Sequence, residues 1–248
     1  MFGTKHLIIL AICAAYIAGM LFILIKKKPS LNIVLKVLLT VGIFSETMKV
    51  CSYIVANEEK YGGYLPKTDL PFHLCSMQII LMIILVLSKN SGLKRLLYSF
   101  MLPTCLIGGF AALLLPTSSS LNMPVITVQY FLYHSSIFVY AVYLYITDEI
   151  RFDIGDYFHT CIMMFGLFFF AIYLNSWVND YSGNINFMYV VKPPMDGLPY
   201  LNKNRGWLVY MIRYALLALF CLTACYIKPI VSSMKKHPAA KSGNGGKE

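Results

Sequence analysis

The stretch Pro71-Phe72-His73-Leu74-Cys75-Ser76-Met77-Gln78 leads into an unbroken apolar run, Ile79 to Leu87, which Ser88 and Lys89 close. Such a run satisfies its backbone within a helix and turns its side chains to lipid or to a core. At its mouth stand an imidazole and a thiol. Polar, reactive groups are costly in hydrocarbon, and those retained there have a task. Fold and function both turn on whether this run crosses a membrane.

The rest of the chain says that it does. Of 248 residues, 58% are hydrophobic and 13% charged, half the roughly 25% of an ordinary soluble domain. A hydrocarbon core about 30 Å thick takes about 20 apolar residues of helix. Seven stretches qualify: 7–25, 31–55, 70–88, 95–115, 124–147, 157–179 and 206–231. The expected fold is all-α, a polytopic bundle of about seven transmembrane helices. It forms one domain over 1–231, followed by a basic tail over 232–248 that is expected to be disordered. No repeat of fixed period is seen. The main positive cluster near the N-terminus, Lys26-Lys27-Lys28, follows the first run and no small-residue cleavage site comes after it, so a retained span is expected.

Charge sets the expected orientation. With the N-terminus outside, the inner segments carry Lys26, Lys27, Lys28, Lys89, Lys94, Arg95, Arg151, Lys228, Lys235, Lys236, Lys241 and Lys247. The outer ones carry Lys5, Lys60, Lys67, Lys192, Lys203 and Arg205, half as many. N-out and C-in follows, with the cell membrane as the expected residence. The net charge of +10 fits anionic lipid at the inner face rather than nucleic acid. Cys13, Cys51, Cys75, Cys105, Cys161, Cys221 and Cys225 lie in or beside apolar runs without CxxC or metal-finger spacing, so no disulfide framework is expected.

In that orientation the buried polar groups collect in the outer half of the bundle. Cys75 lies roughly 7–8 Å into its span at 1.5 Å per residue, and His134 and Glu46 lie roughly 15 Å deep. Asn175 sits under the outer end of the sixth span. Each has a plain structural reading as well. Glu46 and Lys49, three apart, form a helix-face pair, and a lone histidine in a span is often a satisfied interhelical bond. Cys75 too can be a packed thiol that stays protonated in apolar surroundings.

Were the third helix to begin by Leu70, with Asp69 as cap and Pro71 in its first turn, His73 and Cys75 would stand about 200° apart. His73 then serves as a positioning group rather than the base, and His134 from another helix is the natural partner of the thiol. Gln78, three residues beyond Cys75, shares its face and offers a donor to an oxyanion.

Three segments carry a family resemblance: Leu70-Pro71-Phe72-His73-Leu74-Cys75-Ser76, Gln129-Tyr130-Phe131-Leu132-Tyr133-His134, and the loop from Gly183-Asn184-Ile185-Asn186-Phe187-Met188-Tyr189 to Lys192-Pro193. In this order, over most of the chain, they resemble the YwaF and transmembrane protein 164 family of integral membrane proteins. The resemblance implies a polytopic acyltransferase that moves a fatty acyl chain between a phospholipid and a lysophospholipid. It implies Cys75 as nucleophile and His134 as the partnering histidine. More distant relatives, hydrolases of fatty-acid esters, use a threonine and a histidine. The chain departs from the family pattern where Phe187, not tyrosine, follows Asn186. The proline- and tryptophan-rich lead-in to the last span is also reduced to Arg205-Gly206-Trp207-Leu208.

The expected function is therefore acyl transfer through a Cys75 thioester, with phospholipids and lysophospholipids as partners and no cofactor. His73, Gln78, Glu46, Asn175 and Asn186 are its expected supporting residues. The competing expectation is a transporter or channel in which Glu46, Lys49, His73 and His134 carry ions, although no matched pair of broken helices accompanies them. A metal held by Glu46, His73, Cys75 and His134 is chemically competent, but spacing adds nothing to residue type, and no metal is expected.

Overall fold

The computed structural model describes residues 3–236 apart from 56–58, 60–61, 117–119, 122, 148, 180–184, 196–197, 199 and 203. Its helices are α1 (Thr4–Lys27), α2 (Leu31–Ile54), α3 (Leu74–Leu87), α4 (Ser91–Leu114), α5 (Pro124–Ile146), α6 (Ile154–Val178), α7 (Trp207–Cys225) and α8 (Ile227–Lys236). Short 3-10 turns lie at Lys67–Asp69 and Phe187–Tyr189. No strand occurs among the described residues. The chain is a multi-pass, all-α membrane protein: six of these helices are long and apolar enough to cross a bilayer, and α3 is a shorter apolar helix.

α4 and α5 form the centre. α5 packs against α1, α2 and α4, α3 lies between α2 and α4, and α6 and α7 close on the other side of α4. The outer helices turn Phe22, Ile162, Phe165, Trp177 and Phe220 outward, as lipid-facing helices do. The main core joins Leu35, Leu38, Met82, Leu85, Met101, Leu102, Tyr140 and Leu144. Cys75 and Ile79 of α3 pack against its edge.

Lipid provides no hydrophobic drive between apolar helices, so close packing and interhelical hydrogen bonds carry the association. Pro103, inside α4, cannot donate to the carbonyl of Ser99 one turn earlier. Tyr226 fills the vacancy, its hydroxyl donating to Ser99 O at 2.6 Å. At the same end, Arg95 of α4 grips Asp156 through Nε at 2.9 Å and a terminal nitrogen at 2.6 Å. Asp153 and Asp156 also form the capping box that starts α6.

Two expectations about boundaries are corrected. The third helix begins at Leu74 and has 14 residues, roughly 21 Å at 1.5 Å per residue, so it does not start at Leu70. Leu70 precedes a proline, which favours extended backbone, and its φ/ψ of −58°/149° obeys. The last helix breaks at Tyr226, and α8 carries the chain on through Lys236. Ser232–Lys236, expected to be disordered, are thus helical, while the tail beyond them lies outside the described residues.

Candidate functional site

The late helix start changes what Cys75 is. It is not five residues into a span but the second residue of α3, with His73 as an extended N-cap at φ/ψ −73°/149°. No side chain caps this helix, and the first backbone bond back to His73 comes from Met77 at 3.0 Å. The N–H groups of Leu74, Cys75 and Ser76 therefore have no partner among the described residues. They are the open donors that every helix start presents. The segment before it is pinned to α2 by Lys49, whose Nζ donates to Asp69 O at 2.9 Å.

Two adjacent glycines of α4 let the thiol of Cys75 and the backbone of His134 approach that helix closely, on neighbouring faces. A Cβ at Gly108 would lie 3.5 Å from Cys75 Sγ, and one at Gly109 would lie 3.0 Å from the carbonyl oxygen of His134. Small residues of this kind let helix backbones approach closely. Tyr133 fastens α5 to the start of α3 by donating to Cys75 O at 2.8 Å. Cys75 is half-buried, whereas Cys13 and Cys105 are buried.

The imidazole of His134 has a defined state. Its Nδ1 lies 2.6 Å from Tyr130 O, and a carbonyl only accepts, so Nδ1 holds the proton and donates. In the neutral ring Nε2 is then an unprotonated acceptor. It makes no hydrogen bond among the described residues, to the thiol or to any other group. The ring of Tyr130 covers His134 with centroids 4.1 Å apart.

His73 is enclosed by aromatic rings rather than directed at the thiol. Its ring meets Phe187 at 5.4 Å and Tyr189 at 5.6 Å, and it lies within electrostatic reach of His134. Both aromatics come from the loop between α6 and α7. Asn175 binds Phe187 on both sides, accepting from its N at 2.7 Å and donating to its O at 3.0 Å. Asn186 closes the loop on itself, donating to Lys192 O at 2.9 Å and accepting from Val191 N at 3.1 Å. Both asparagines thus hold the backbone of this loop. Burial pushes the Tyr189 phenol up, so it remains a donor.

Two expected supporting residues have other duties. Glu46 pairs with Lys49 at 2.7 Å, the plain structural reading, and it does not orient either histidine. Gln78 is fully buried and donates from Nε2 to Thr104 at 3.0 Å, which ties α3 to α4, while its carbonyl oxygen has no partner. Its donor is therefore engaged, whereas the amides at the start of α3 are open. Among the described residues no three His, Cys, Asp or Glu side chains group as a metal site would require. Sequence reading gave Gly108-Gly109 no role beyond interrupting a span, and gave none to Tyr133 or Tyr189. The adjacent glycines within one span were the available signal.

Among families, the TMEM164 family model matches residues 1–226 of this chain. No curated protein and no solved structure matches it.

Proposed function

Because the chain belongs to the TMEM164 family, we propose that it is a membrane-embedded acyltransferase working through a thioester on Cys75. The observation that carries this reading is the state of His134. Its Nδ1–H is fixed on Tyr130 O, which leaves Nε2 as an unprotonated acceptor, free to take a proton.

In the reading, Nε2 accepts the Cys75 proton as sulfur adds to the ester carbonyl carbon of a phospholipid. The carbonyl electron pair moves to oxygen, where the free amides at the start of α3 and the positive end of its dipole stabilise it. Collapse expels the lysophospholipid oxygen, which takes the proton from Nε2. A second lysophospholipid hydroxyl then attacks the thioester by the reverse sequence. Water in its place would make the site a hydrolase. The competing ion path is weakened because Glu46 and Lys49 neutralise each other.

The test is intact-protein mass spectrometry after incubation with acyl-labelled phospholipid. The reading expects a hydroxylamine-sensitive acyl group on the native chain and none on Cys75→Ala. No adduct across a broad lipid panel, with Cys75→Ala fully functional in cells, would move the assignment to transport.

A further inference from the structure

Two consecutive residues in the loop between α6 and α7 hold a constrained backbone. Met188 and Tyr189 both have φ of 55°, a left-handed conformation that non-glycine residues rarely hold without external support. Here the support is unusually complete. Four successive carbonyls each accept from a different side chain: Phe187 O from Asn175 at 3.0 Å, Met188 O from Tyr214 at 3.0 Å, Tyr189 O from the hydroxyl of Tyr210, and Val190 O from the Trp207 indole at 2.9 Å. Trp207, Tyr210 and Tyr214 lie at i, i+3 and i+7 on α7, one face of that helix. That face reads the loop carbonyl by carbonyl.

What the clamp secures is the side chain of Tyr189. Its ring lies against His73 at 5.6 Å, and the residue is within electrostatic reach of both Cys75 and Tyr130. Its hydroxyl has no hydrogen-bond partner among the described residues. Tyr210 and Tyr214 employ theirs on the loop, Tyr133 on Cys75 O and Tyr130 on Ala112 O at 3.1 Å. Of the tyrosines gathered here, Tyr189 alone keeps a free donor.

We propose that Tyr189 is a further catalytic residue, held in a strained conformation by α6 and α7 so that its hydroxyl donates to the ester carbonyl oxygen as Cys75 adds. The proposal rests on the thioester reading. As the carbon–sulfur bond forms and the carbonyl π pair moves to oxygen, the phenol hydrogen bond strengthens without proton transfer. It acts beside the amides of Cys75 and Ser76, and collapse of the adduct returns the charge to the departing glycerol oxygen. Trp207, Tyr210, Tyr214 and Asn175 are positioning residues for that donor.

The experiment is single-turnover acylation of Cys75 in Tyr189→Phe, using a labelled phospholipid ester and its thionoester analogue, in which sulfur replaces the carbonyl oxygen. Phenylalanine keeps the ring against His73. The expected result is a loss on the order of 10²-fold on the ester, with iodoacetamide alkylation of Cys75 unchanged. The ester-to-thionoester rate ratio should also fall, because sulfur is the poorer acceptor of the missing bond. A merely structural role would slow both substrates alike. Equal slowing, or an ester rate matching the native protein, would overturn the role of Tyr189. Should Tyr189→Phe fold poorly, Tyr210→Phe and Tyr214→Phe give the second check, with a reduced ester-to-thionoester ratio expected and an unchanged one contrary. Failure of the native chain to acylate at all would overturn the thioester reading instead.

Discussion

The carbonyl oxygen of His134 lies 3.0 Å from the point where a side chain on Gly109 would begin. Its neighbour Gly108 faces Cys75 Sγ at 3.5 Å, ordinary contact. One step along α4 thus separates the surfaces against which the two reacting helices rest. Alanine at the two positions should have opposite consequences. Gly109→Ala meets backbone, which cannot rotate away, and should cost about 1–3 kcal/mol while moving α5 and slowing Cys75 acylation. Gly108→Ala adds only a contact and removes a flexible residue from a helix, so stability should hold or rise by up to about 1 kcal/mol. Melting in detergent and the rate of Cys75 alkylation distinguish them.

Pro103 and Tyr226 should be coupled although they lie in different helices. Tyr226→Phe strips Ser99 O of its donor and should destabilise by about 1–3 kcal/mol. With Pro103→Ala the backbone N–H at position 103 returns to that carbonyl. The same tyrosine substitution should then cost less, leaving what it loses with Thr160. A double-mutant cycle in thermal unfolding measures the difference, and strictly additive effects would refute the coupling.

The Glu46–Lys49 pair offers an asymmetric prediction. Glu46→Gln keeps a polar partner for Lys49 and should change stability by under about 1 kcal/mol, with acylation intact. Lys49→Met removes both the ion pair and the bond to Asp69 O, freeing the segment that leads into Pro71. It should slow acylation and lower the melting temperature. An ion path would give the reverse order, Glu46→Gln being the damaging change.

Asn175 should matter more than Asn186. Its amide satisfies buried N–H and C=O groups of Phe187 together, so Asn175→Ala strands both, at about 2–3 kcal/mol. Asn186 is exposed at its amide bonds to Lys192, where water substitutes. Near-equal losses in a stability assay would contradict this account.

Much of this architecture was legible in the chain. Runs such as Ile79–Leu87 and Pro124–Ile146 have one stable backbone solution in lipid, so the positions of the spans followed from composition. The start of α3 did not. A helix entered through Leu70-Pro71 looks continuous in hydropathy, and only the restriction that proline places on its predecessor delays it. Gln78 shared the expected helix face with the thiol, yet its donor went to Thr104, a contact across helices that one sequence does not state. Tyr189 stayed hidden because its placement depends on left-handed backbone stabilised by Trp207, Tyr210 and Tyr214, residues that read separately as ordinary interfacial aromatics.

The central claim is that His134 acts on the thiol through Nε2. Its most direct measurement is the single-turnover rate of Cys75 acylation in His134→Asn. Asparagine keeps an N–H near the position of Nδ1, able to hold Tyr130 O, but has no base where Nε2 stood. The account predicts a folded protein whose Cys75 acylates slower by on the order of 10²- to 10⁴-fold. Acylation at the native rate would contradict it.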